Sequence, residues 1–266
     1  MPMSPILTPT MTTPTPTTVG NYVPKPFDID GLLGIPKNRV VRVGVELEGA
    51  WSVLPKGARL EKDMSVFKSP LTGTQTPPAG HQAGELPIGP MQVAAVPKFM
   101  RKYYPQKVNE TCGLHVHMSF DSVWHYSLLM DTPEYQDTVL EYLTRWAKAE
   151  GFPETHHFYP RLRGNSAYCQ IKFWPDAQIN SKKDWDKTRY GHRYTAVHYC
   201  GRQRTIEVRV LPMMETVEQG IRAVRHVVDI TNAVVFLLGR RKEQRMRETV
   251  EIPSNEVYEE FVEEGL

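Results

Sequence analysis

The chain has 266 residues, 32 Lys plus Arg against 30 Asp plus Glu, and an apolar share of 40%. That length fits one large domain or two small ones, and the apolar share allows a sizeable core. The charge balance gives no bulk argument for nucleic acid or an anionic membrane as partner, although a local patch would not need one. Cysteines stand at only three scattered positions, Cys112, Cys169 and Cys200. They match neither a disulfide framework nor a Cys-rich zinc site, so free thiols in a reducing compartment are the expectation. The longest apolar run, 233–238, falls far short of the roughly 20 residues that span a bilayer. The first residues lack the basic and apolar regions of a signal peptide. The expectation is a soluble cytoplasmic protein.

Residues 1–24 hold seven Thr, six Pro and no charged side chain. Pro removes donors and Thr buries little apolar area, so an extended arm over about 1–27 is expected, free or docked on a partner. From Val41 the chain alternates. Val41, Val43, Val45 and Leu47 share one face of a strand over 39–48; Arg42, Gly44, Glu46 and Glu48 share the other. Residues 63–91 are rich in Pro, Gly and Thr and predict a long loop or hairpin region. A helix is expected over 92–104, with Pro97 as the objection to it.

Cys112-Gly113-Leu114-His115-Val116-His117-Met118-Ser119-Phe120 alternates again, with His115, His117 and Ser119 on the polar face. Thr132-Pro133 opens a predicted helix to about 150. Residues 160–190 read as mixed loop, and 194–199 as a strand. Arg204 to Leu211 is another strand, apolar at Ile206, Val208 and Val210, polar at Glu207 and Arg209. Apolar residues at Val217, Ile221, Val224, Val228, Val235 and Leu238 predict a helix over 216–247, ended or kinked at Gly239. An acidic tail, 251–266, follows the expected domain of 28–250. Strands interleaved with long helices, without regular alternation, predict an α+β fold.

Three strands therefore each present chemistry-bearing residues on one face and a firmly apolar face opposite. Glu46 and Glu48 stand about 7 Å apart on theirs; His115 with His117, and Glu207 with Arg209, repeat the arrangement. A single Glu-x-Glu is most often a solvated sheet face, and a single Glu-x-Arg a surface ion pair. Three such strands in one chain are harder to obtain as three independent surfaces. Burying these groups one by one would cost several kcal/mol each, on the order of that for any unpaired polar group. Gathered around cations they would not. Carboxylates with few imidazoles suit Mg²⁺ or Mn²⁺, whereas zinc favours more His or Cys.

Gly44-Val45-Glu46-Leu47-Glu48-Gly49, the Gly113-Leu114-His115-Val116-His117-Met118-Ser119 block, Arg193-Tyr194 and Thr205-Ile206-Glu207-Val208-Arg209, in this order, resemble the amidoligase family. Through it the chain resembles the glutamine synthetase and glutamate–cysteine ligase superfamily, over roughly residues 40–240. The resemblance implies a curved, mainly antiparallel sheet lining an active-site funnel, with helices packed outside. It implies an ATP-dependent carbon–nitrogen ligase that makes an amide through an acyl phosphate. Glu46, His115 and Glu207 would hold one Mg²⁺ or Mn²⁺, and Glu48 a second, with Glu85 as candidate further ligand. His117 and Ser119 would face the nucleotide, Arg193 would reach its phosphates, and Arg209 would hold the carboxylate or the phosphoryl group. Asp63, in Asp63-Met64-Ser65, resembles the family's Asp-x-Ser element and would contact substrate; a turn role is the plainer alternative. The chain departs from the family in having no Ser-Pro after Glu85.

The implied partners are a carboxylate, by default glutamate-like, and an amine, with homo-oligomerisation open. Two other readings use the same residues. One is a metal-dependent hydrolase in which the His and Glu groups activate water. The other is a non-catalytic binding protein that keeps the fold. His156-His157, Arg161, Arg163, Arg202, Arg204, Lys182, Lys183 and Lys187 could extend a phosphate or substrate site, but most such residues are solvated.

Overall fold

A computed structural model describes residues 25–35, 39–130, 132, 134–166, 169, 171, 195–200 and 204–250. Its strands are β1 (Val40–Trp51), β2 (Gln82–Met91), β3 (Gly113–Phe120), β4 (Val197–Cys200) and β5 (Thr205–Pro212). Its helices are α1 (Val96–Tyr103), α2 (Val123–Met130), α3 (Glu134–Ala149), α4 (Phe158–Leu162) and α5 (Val217–Val250). The five strands form one antiparallel sheet in the order β2-β1-β3-β5-β4, curled into a half-barrel. The expected α+β class with a curved antiparallel sheet is observed. No helix among the described residues is long and apolar enough to cross a membrane. The arm up to residue 24 and the tail from 251 lie outside the described residues.

The period-two pattern sorts the strands as the sequence predicts from Val43 onward; Val41, expected on the apolar face, is exposed, because the β1–β3 register slips between Val40 and Arg42 and Val40 is buried instead. Val43, Val45, Leu47, Leu114, Val116, Met118, Val208 and Val210 are fully buried. Each such side chain taken out of water contributes about 1.5–3 kcal/mol, so this apolar face dictates the register. Helix α5 packs against β1 and β3 as well as α1, α2 and α3, with Val224, Val227, Ile230, Val234 and Val235 buried. Its Asn232 Oδ1 accepts from the backbone N–H of Arg39 and Val40 at 2.9 and 2.8 Å, which fixes the start of β1. Tyr135 of α3 and Thr231 of α5 share a buried hydroxyl hydrogen bond of 2.8 Å. Before β1 the chain is strapped along α3: the N–H groups of Lys25, Phe27 and Ile29 donate to Asp137, Thr138 and Tyr142 side chains.

Several elements differ from expectation. The region expected to be a long loop or hairpin ends in strand β2, in spite of Gly84, Pro87, Gly89 and Pro90. The edge position explains this. Glu85 turns both its N–H and its carbonyl outward to Glu61, at 3.0 and 2.7 Å. Pro87, two residues on, therefore points its missing N–H to the same outer side, away from β1. Pro97 does not interrupt α1 but sits in its first turn, where no N–H is needed. Gly239 neither ends nor caps α5, which runs on to Val250. A Cβ there would stand 3.6 Å from the Trp124 ring, so the glycine lies at a helix contact rather than at a terminus. Helix α2 is uniformly apolar in sequence and α4 has only five residues with a central Pro. Neither offers a helical period to detect.

Candidate metal centre

The polar face of the sheet is a continuous row, and register makes it so. Glu48 on β1 stands opposite Glu85 on β2. Glu46 stands opposite His115 on β3, and His117 opposite Glu207 on β5. Cross-strand neighbours lie about 4.5–5.5 Å apart at Cβ, within reach of long polar side chains. The row is buried: Glu48, His115, His117 and Glu207 are 4, 3, 8 and 2% exposed.

His115 is the hub. Its Nδ1 lies 2.9 Å from Glu46 Oε2 and 3.6 Å from Glu207 Oε1, and its Nε2 lies 3.4 Å from Glu48 Oε1. The three residues that the family resemblance assigns to one ion thus meet around one imidazole nitrogen. At the β2 side, Glu48, Asp63 and Glu85 bring carboxylate oxygens within 4.8 Å of one another, and oxygens of Glu46 and Glu85 with a His115 ring nitrogen do the same. The segment through Glu61 is held there by its pairing with Glu85. Gly84 permits that pairing, since a Cβ would meet Glu61 O at 2.4 Å. Gly113 has the same duty inside the row: a Cβ would meet His115 Nε2 at 2.7 Å and Glu48 Oε2 at 3.2 Å. Its own N–H donates to Glu48 Oε2 at 2.5 Å.

The electrostatics are lopsided. Among the described residues, five carboxylates, those of Glu46, Glu48, Asp63, Glu85 and Glu207, converge on the row, with the guanidinium groups of Arg209 and Arg161 acting on it. The carboxylates respond in opposite directions. Burial alone would raise Glu46, but contacts with His115 and His117 overcome it and hold that carboxyl far below the ordinary range. Glu85 is pushed up to about 9, by burial first and then by the charges of Glu46, Glu48 and Asp63. Arg209 donates to Glu207 Oε1 at 2.5 Å. Burial would lower its pKa, yet Glu207, Glu46 and Glu48 raise it, so it stays charged. Its Nε is buried and has no hydrogen-bond partner among the described residues, a fixed donor suited to an anionic ligand.

No protein-family model, curated protein or solved structure matches this chain. The donor chemistry therefore stands by itself: several carboxylates, two imidazoles and an orphan guanidinium donor fit hard divalent cations and an anionic ligand.

Of the residues singled out in the sequence, Glu46, Glu48, His115, His117, Glu207, Arg209, Glu85 and Asp63 come together. Asp63 combines both roles weighed for it. Its Oδ1 caps a turn, accepting from the Ser65 N–H and hydroxyl at 2.7 and 2.6 Å, while its carboxylate faces Glu48 and Glu85. Ser119 lies farther along β3, its hydroxyl 3.5 Å from the Arg42 carbonyl, beyond the cluster. Arg193, Lys182, Lys183, Lys187 and Arg202 lie outside the described residues. Arg163 and Arg204 are exposed.

Two residues acquire roles that the sequence did not reveal. Arg161 is 3% exposed and donates to the carbonyls of Glu110, Thr111, Cys112 and Leu211. It clasps the entry to β3 and the exit of β5, and so positions His115 and Glu207. Cys200, at the end of β4, places Sγ 3.0 Å from Glu207 Oε2. Its phase on β4 is the only sequence signal that could have pointed to it.

Proposed function

We propose that the polar row binds Mg²⁺ or Mn²⁺ together with ATP and serves an ATP-dependent carboxylate–amine ligase. The observation that carries this reading is the convergence of Glu46, Glu48, His115, Glu207 and Glu85 in one buried row whose carboxylates outnumber its cations. The family resemblance in the same residues supports it. Glu46, His115 and Glu207 would hold one ion, and Glu48 with Glu85 another. The ions supply charge neutralisation for the phosphates, which is most of what phosphoryl transfer requires.

The chain's own groups take the remaining duties. Arg209, with an unused buried Nε, grips the substrate carboxylate or the phosphoryl group by charge-assisted hydrogen bonds. In the first half-reaction a carboxylate oxygen of the substrate bonds to the γ-phosphorus of ATP, and ADP leaves. In the second, the amine nitrogen bonds to the acyl carbon and inorganic phosphate leaves. The amine must shed a proton, and Asp63, at the edge of the row on a turn pinned by Gln75, is the base in position. His117 and the half-buried Ser119 would continue the row toward the nucleotide. Glutamate or a related acid is the default donor, and the amine ranges from an amino acid to a polymer-borne group.

The test is ADP release with Mg²⁺ or Mn²⁺ while acids and amines are screened in pairs, with Glu46→Ala and Glu207→Ala as controls. The proposal expects ADP only with a matched pair, and none from either variant. Metal-dependent cleavage of amides or phosphoesters without ADP would replace the ligase by a hydrolase.

A further inference from the structure

The far end of the row has different donors. Cys200 Sγ, Glu207 and His117 bring sulfur, oxygen and nitrogen ligand atoms within 4.8 Å of one another. Glu207 divides its two oxygens. Oε1 faces Arg209 at 2.5 Å and His115 at 3.6 Å, while Oε2 faces Cys200 at 3.0 Å. His117 is already oriented as a ligand. Its Nδ1 lies 3.0 Å from the Thr205 hydroxyl, the outer partner that ligating imidazoles use to fix ring and tautomer. That leaves Nε2 for a ligand. It is buried and lacks a hydrogen bond among the described residues, although Glu46 Oε1 approaches to 2.9 Å off the N–H direction.

We propose that His117 Nε2, Cys200 Sγ and Glu207 Oε2 form a separate site for a thiophilic divalent cation of the Zn²⁺ class, with Glu207 bridging it to the carboxylate cluster. Ligands at Zn–N, Zn–O and Zn–S distances in a tetrahedral site stand about 3.3–3.6 Å apart. Cys200 Sγ lies 3.0 Å from Glu207 Oε2, just short of that span, and His117 Nε2 lies 3.9 Å from the other Glu207 oxygen, Oε1; with all three ligand atoms within 4.8 Å of one another, side-chain rotation closes the site. A carboxylate-only pocket favours hard ions; adding one thiolate and one imidazole turns preference toward softer ones. Binding replaces the S–H bond of Cys200 by an S–metal bond and releases one proton to solvent. The site needs no ATP, acid or amine, so it stands or falls apart from the ligase reading.

The test is titration of the full chain with Cd²⁺ and Co²⁺, read by the thiolate-to-metal charge-transfer absorption. Cys112 and Cys169 also carry thiols and are buried, so single variants assign the band. The expected result is one saturable band in the wild type that persists in Cys112→Ser and Cys169→Ser and vanishes in Cys200→Ser. Protection of Cys200 from alkylation by Zn²⁺, mapped by peptide mass in the wild-type chain, gives the same answer should Cys200→Ser fail to fold. A band that survives Cys200→Ser, metal uptake with no thiolate band, or alkylation of Cys200 undiminished by Zn²⁺ would each overturn the proposal.

Discussion

The β2 side and the β4 side of the same polar row are built from different chemistry. At the β2 side, Glu48, Asp63 and Glu85 offer oxygen alone. Burial and the charges of Glu46, Glu48 and Asp63 outweigh Arg209 there and push the Glu85 carboxyl up. At the β4 side, Glu207 is answered by Arg209, His115, His117 and Cys200. The first region is short of positive charge and the second is nearly balanced. The difference teaches that one sheet face can carry two donor sets: carboxylates alone, which suit hard cations, and carboxylate with nitrogen and sulfur, which suit softer ones.

The sharpest way to break the row is to remove the two carboxylates that meet His115 Nδ1 between the two regions. Glu46→Ala and Glu207→Ala should each reduce ADP release by at least about 100-fold, more than the 10–100-fold typical of outer-shell partners. Far-ultraviolet circular dichroism should show that both still fold. Arg161→Met tests whether the row depends on its clasp. It strands the carbonyls of Glu110, Thr111, Cys112 and Leu211, so the urea midpoint should fall by the equivalent of about 2–3 kcal/mol. Gly113→Ala strikes inside the row, where its Cβ would collide with His115 Nε2. It should cost about 1–3 kcal/mol of stability as an overpacking substitution, and divalent-metal affinity should weaken with it.

Much of this architecture was legible beforehand, and the reasons are specific. β1, β3 and β5 each alternate over at least three pairs, and the buried apolar face leaves a single register open, so Glu46, His115 and Glu207 had to meet once the strands paired. β2 was hidden because Pro87, Pro90, Gly84 and Gly89 carry loop signals; only the outer-edge position makes them compatible with pairing. Glu85 could be named but not placed until its register opposite Glu48 was seen. Arg161 read as one cation in a basic set because a clasp on four carbonyls leaves no trace in spacing. Cys200 stood apart because its partner, Glu207, lies on another strand.

The smallest expected effect sharpens the contrast by pH. Glu85 moves from 4.5 to about 9 on folding, and His117 is raised above 6.5, because Glu46 and Glu207 outweigh the effect of burial. In both, the folded state holds a proton that the unfolded state gives up. The stability these two protons contribute is therefore full below the unfolded values and declines as pH rises, from about 4.5 to 9 for Glu85 and from 6.5 upward for His117, in metal-free protein. Glu85→Gln should flatten part of that decline in thermal melts. Mg²⁺ should flatten it too, by holding Glu85 as a carboxylate, so stabilisation by metal should grow with pH.

The most direct measurement of the central claim is Mn²⁺ binding to the purified full chain, followed by the loss of the free-ion electron paramagnetic resonance signal. The account predicts saturable uptake that tightens as pH rises and that Mg²⁺ displaces, with Glu46→Ala and Glu48→Ala each weakening it by at least tenfold, about 1.4 kcal/mol. Uptake absent in the wild type, or equal in the wild type and both variants, would contradict it.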